Sequence, residues 1–90
     1  MTKQEFIRRM EIEKPLEGTG LSIEIDELID SPYIIGCYED NGVWRIYKTR
    51  ERGGYFIIKE LTNEDEAYEY LYKLVYVEKK ISDHVKELGF

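Results

Sequence analysis

Ninety residues, 42% hydrophobic and 36% charged, describe one ordinary soluble domain with a thin core. A net charge of −6 argues against nucleic acid as a partner, because phosphates repel an acidic surface. No apolar run approaches a membrane span, the N-terminus lacks a secretory signal, and Cys37 stands alone, so the expectation is a cytoplasmic protein without disulfides.

Thr2 and Glu5 have capping-box spacing, and Phe6, Ile7 and Met10 follow at helical spacing, which predicts a helix over about 2–13. Pro15, Gly18 and Gly20 end it. The stretch from Leu21 is ambiguous. Leu21, Ile23 and Ile25 alternate as in a strand, while Ile25, Leu28 and Ile29 fit a helical turn equally well. The favoured reading is a strand over about 21–26, with a turn toward Ser31-Pro32.

Asn41-Gly42 is the strongest local signal, since a type I′ turn needs positive φ at both central residues. It pairs Asp40 with Val43 and carries the register through Tyr38–Arg45 and Gly36–Tyr47 to Ile35–Lys48. Strand alternation then places Tyr33, Ile35, Cys37, Trp44 and Ile46 on a drier, core-facing side. Ile34, Tyr38, Arg45, Tyr47 and Thr49 take the outward side. Gly53-Gly54 turns the chain into a strand over about 55–61. Thr62 with Asp65, or Asn63 with Glu66, caps a long helix whose apolar line runs Ala67, Tyr70, Leu71, Leu74, Val77 (or Glu78), Ile81, Val85 and Leu88. Ser82 offers a fresh cap, so a break near Ile81 is expected, and Gly89 is the expected stop. The fold class is α+β: an N-terminal helix, a three- to four-stranded antiparallel sheet, and a long C-terminal helix packed on one face, as one domain over 1–90.

No arrangement of residues calls for catalysis, a metal or a cofactor. Ser82, Asp83 and His84 are adjacent on a helix and diverge, whereas a triad must converge in space. Cys37 faces Ile46 and reads as a small core residue. The carboxylates from Glu60 to Glu69 suit a helix start and lack calcium-loop spacing. Arg45, Lys48, Arg50 and Arg52 lie beside Tyr47 and Tyr55, but among acids, so cross-strand pairing or a protein contact suits them better than a nucleic-acid strand.

Two features point to protein recognition. Between Glu11 and Asp30 lie seven acids against Lys14, which places the whole net charge there. Such a segment would steer a basic protein partner. All eight tyrosines fall between Tyr33 and Tyr76, and Tyr68, Tyr72 and Tyr76 form a ridge at i+4 spacing that either joins the core or supports self-association as a homodimer.

"NGVWRIYKTRERGG" followed by "IIKELTNEDEAYEYLYKLV" resembles small bacterial proteins of polymorphic toxin systems, most closely the immunity protein 59 family. The resemblance covers roughly 33–77 and rests on Trp44 and Tyr47, on the turn Glu51-Arg52-Gly53, and on Glu64, Glu66, Ala67, Tyr68 and Leu71. Arg50 stands where that pattern would carry an acid. The resemblance implies a non-catalytic inhibitor that binds and blocks a cognate toxin, such as a nuclease with a basic cleft. The contact residues expected are Glu24, Asp26, Glu27 and Asp30 for steering, with Tyr38, Arg45 and Tyr47 as anchors on the outward sheet face.

Overall fold

The computed structural model describes residues 1–87, with side chains through Val85. Helix α1 spans Lys3–Glu13. Thr2 caps it, its hydroxyl accepting from the Glu5 amide at 3.1 Å, and Lys14 closes it in the left-handed region with φ 46°. Four strands follow: β1 (Ser22–Ile25), β2 (Ile34–Asp40), β3 (Val43–Thr49) and β4 (Tyr55–Leu61). Helix α2 spans Glu64–Glu87 without the break expected at Ile81. Of the two caps proposed for it, Asn63 serves, its side-chain oxygen accepting from the Glu66 amide at 3.0 Å. The expected stop at Gly89 and the apolar position Leu88 lie outside the described residues.

The sheet order is β1-β2-β3-β4, with β2, β3 and β4 antiparallel. The β2–β3 register is the one dictated by Asn41-Gly42, including Tyr38↔Arg45 and Gly36↔Tyr47. Both turn residues have positive φ, 52° and 80°. Between β3 and β4 the register shifts at Ile46/Tyr47, leaving Ile58 of β4 as a bulge that still packs on the core.

β1 departs from the expected antiparallel sheet, because it runs parallel to β2. Parallel neighbours normally need a crossover of a dozen residues or more. Here residues 26–33 make the return, as a short arch without helix or strand. Asp26 (φ 71°) and Tyr33 (φ 65°) sit in the left-handed region at its two ends, where the chain must reverse. Tyr33 is thereby turned out of the sheet and is 50% exposed, which corrects its expected place in the core.

The inner face holds Ile35, Cys37 and Ile46 beneath Phe6, Leu16, Ala67, Tyr68, Leu71 and Val75. The buried line of α2 is therefore Ala67, Tyr68, Leu71 and Val75, while Val77, Ile81 and Val85 are 50%, 54% and 40% exposed. Phase explains Val77 and Ile81, which fall beside the buried line, and length explains Val85. Twenty-four helical residues run about 36 Å, whereas a seven-residue strand runs about 24 Å, so the end of α2 projects past the sheet.

Candidate partner-binding face

The outer sheet face is organised by Tyr47. Gly36 lies opposite it in β2, and a Cβ at Gly36 would come within 3.0 Å of the Tyr47 ring and hydroxyl. Lacking that carbon, the sheet lets the ring cross β2 and reach the arch. There the hydroxyl donates to the Glu27 carbonyl at 2.8 Å and accepts from the Ile29 amide at 3.1 Å. Asp30 adds a second tie, accepting from the Gly54 amide at 2.8 Å. At the strand end, the buried Thr49 hydroxyl accepts from the Ile34 amide at 2.9 Å. Two polar anchors on the arch and a third at its exit into β2 thus hold eight irregular residues against a face that an open sheet would leave to water.

This arrangement sorts the expected contact residues. Tyr47 lies on the outer face as expected, but it is fully buried, so it supports the arch and offers no surface to a partner. Burial raises its phenol pKa, and Glu24 and Glu27 nearby act in the same direction, so it remains a neutral hydrogen-bonding group. Tyr38 packs edge-on against it, ring centres 5.8 Å apart, and stays half-exposed. Arg45 also stands on this face, but its guanidinium lies 2.7 Å from Asp40 and 3.5 Å from Glu60, which offsets its charge. Asp26 turns away to the α1 side, paired with Lys3 at 2.5 Å, and Asp30 is occupied by Gly54. Glu24 and Glu27 remain without an ion-pair partner among the described residues, Glu27 being exposed on the arch.

Sequence reasoning missed the surface beside them. Leu28 (38%), Tyr33 (50%) and Tyr55 (42%) are exposed, and Tyr55 meets Tyr47 edge-on at 6.4 Å. A hydrogen bond with Glu51 raises the Tyr33 phenol pKa. The signal that could have found the arch was Gly36, since a glycine inside a strand often marks a close approach of another segment.

The tyrosine ridge on α2 is used within the chain. Tyr68 is buried against Phe6, ring centres 5.5 Å apart, while Tyr72 and Tyr76 both donate to one oxygen of Glu13. Arg9 lies 5.4 Å above the Tyr72 ring. These contacts hold α1 to α2. The hydroxyls of Tyr76 and Tyr72 favour the Glu13 carboxylate and lower its pKa from the ordinary 4.5. The folded-state pKa is depressed, so this stabilisation is full above 4.5 and is lost as pH falls through the lower folded value. Acid titration followed by circular dichroism should give Glu13→Gln a shallower loss of stability below that pH than the parent. An identical acid limb would show that the carboxylate charge does not matter to the latch.

Other groups with chemical potential are occupied or separated. Cys37 is buried beside Tyr68, and burial pushes its thiol up to about 11, so it stays protonated at neutral pH. Asp83 pairs with Lys79 at 2.9 Å, and His84 is exposed. Among the described residues no cluster of His, Cys, Asp and Glu is arranged to hold a metal, and no helix is long and apolar enough to cross a membrane. Two shallow open grooves, of about 300 and 280 Å³, lie along α2 at Tyr72–Lys80 and between α1 and β1. Comparison with protein-family models, curated proteins and solved structures finds no match to this chain.

Proposed function

We propose that this chain is a stoichiometric binding protein of the immunity kind, neutralising a cognate bacterial toxin by covering its working surface. The observation that carries the reading is the arch. It is a segment without regular structure, fixed by three hydrogen bonds, displaying exposed Glu27 and Leu28 with half-buried Glu24 beside it. A preset arch loses little conformational freedom on binding, and freedom lost is a principal cost of association. Carboxylates without local partners steer a basic protein surface, while Leu28, Tyr33, Tyr38 and Tyr55 supply rings and apolar area to bury once contact is made. The sequence resemblance over 33–77 agrees with this role. A basic nuclease cleft is one partner of suitable chemistry, since an acidic arch would compete there with a phosphate backbone.

The test uses the cognate toxin domain and stopped-flow association over a salt series. Glu24→Gln with Glu27→Gln should slow association by about tenfold at low salt and flatten its salt dependence, leaving the dissociation rate less affected. Unchanged association would remove the arch from the interface. Failure to form a one-to-one complex with that domain would remove the proposed role.

A further inference from the structure

The helix layer covers the sheet unevenly. α1 lies against the flank of α2 that carries Tyr72 and Tyr76, and its Lys3 reaches Asp26 at the end of β1. Ala67, Leu71, Val75 and Glu78 point down at the sheet, Glu78 meeting Lys48 of β3 at 2.7 Å. At 100° per residue, the remaining flank of α2 looks toward β4, the opposite edge of the sheet, and Val77 and Ile81 fall on it. Phe56 of β4 faces the same layer, because its cross-strand partner Lys48 is the residue that reaches α2. It is 40% exposed, so three apolar side chains, Val77, Ile81 and Phe56, line a strip that no described element covers.

Cations frame the strip. Lys73 and Lys80 stand above it on the outward side of α2, in a groove lined by Val77 and also by Tyr72 and Tyr76. Arg50 lies 5.1 Å over the Phe56 ring, and Lys59 is exposed on β4 opposite the core-facing Ile46. None of these four has an ion-pair partner among the described residues, although Glu66 and Glu69 stand on α2 within two turns of Lys73. In a chain of net charge −6 this local reversal of sign defines a partner.

We infer that the strip is the docking site for an acidic amphipathic helix of another protein, lying beside α2 as a third helix of the layer above the edge of β4. Its apolar line would cover Val77, Ile81 and Phe56, and its carboxylates would reach the lysines. A second copy of this chain fits poorly, because antiparallel α2 helices would bring Lys73 and Lys80 of both copies together. An anionic membrane fits poorly as well, since a flat surface cannot enter the angle between α2 and β4 and the chain as a whole is acidic. This face lies on the opposite side of the sheet from the arch, so the inference stands or falls independently of the proposed function.

The experiment titrates the isotopically labelled full chain with a three-heptad leucine–glutamate helix peptide, using a leucine–lysine peptide and anionic phospholipid vesicles as separate arms. The glutamate peptide should give saturable amide shifts at Lys59, Val77, Lys80 and Ile81, with a midpoint on the order of 100 μM. Lys73→Glu with Lys80→Glu, both exposed and so compatible with the fold, should weaken binding by about tenfold or more with the spectrum otherwise retained. The inference is overturned by any of three results. One is no saturable shift, or equal shifts with the lysine peptide. Another is binding to the vesicles alone. The third is a dimer in sedimentation that Val77→Glu with Ile81→Glu abolishes, which would assign the strip to a second copy.

Discussion

Gly36→Ala is expected to lower the melting temperature by about 10–20 °C, far more than one methyl group would ordinarily cost. The added carbon would come within 3.0 Å of ring and hydroxyl atoms of Tyr47. Neither neighbour can yield easily. Tyr47 is fully buried, its ring is wedged between Tyr38 and Tyr55, and its hydroxyl is held by two backbone groups of the arch. Displacing the ring breaks both hydrogen bonds, and displacing the backbone disturbs the pairing of β2 with both neighbours. Overpacking of this kind costs about 1–3 kcal/mol, and in a domain of this size each kcal/mol lowers the melting temperature by about 4–8 °C. A double-mutant cycle identifies the cause. In a Tyr47→Leu background, itself destabilised by loss of the ring and its hydrogen bonds, adding Gly36→Ala should cost less than about 0.5 kcal/mol. Additive effects would mean that the alanine does its damage elsewhere, and that the close approach of ring to strand is not what holds the arch.

That pair of residues also marks where reading the sequence stopped. The β2–β3 register was legible because a two-residue Asn-Gly turn fixes which residues face each other, and alternation then assigns the sides. Ile35, Cys37 and Ile46 fell into the core on that logic alone. The direction of β1 was not legible. Its four residues would alternate identically in either direction, and nothing local reports that 26–33 will fold across the sheet. The consequence was largest at Tyr47, where outward was equated with exposed. It is the arch that buries Tyr47, Ile34 and Thr49 on that face. The four acids were legible as a charge segment, but two of them, Asp26 and Asp30, proved to be committed to Lys3 and Gly54. On α2 the error was one of phase. Tyr70 and Leu74, expected on the core line, do pack against the core in part, but Tyr68 and Val75 are the buried ones and Val77 is exposed, because two neighbouring helical lines are both apolar and period alone does not choose between them. The choice is made by α1, whose Phe6 closes on Tyr68.

Phe6→Ala should therefore be the most damaging single change in the helix layer. Phe6 is the one fully buried residue of α1, and removing its ring leaves a cavity facing Tyr68. Large aromatic-to-alanine changes in a core cost about 3–5 kcal/mol, against a total stability of about 5–15 kcal/mol for a domain. The other ties of α1 offer little to replace it. The Lys3–Asp26 and Met1–Glu69 ion pairs and the Glu13 latch each have an exposed carboxylate, and such contacts are individually weak. Hydrogen exchange should show α1 amides losing protection at lower denaturant than the β2–β3 ladder, while Ile12→Ala, at a 74% exposed position on the same helix, changes neither. The arch lies on the far side of the sheet, so in the folded fraction its Ile29 amide should keep the protection conferred by Tyr47. If Phe6→Ala costs less than about 1 kcal/mol, or if α1 and the ladder open together, α1 is not a separately detachable layer resting on one aromatic contact.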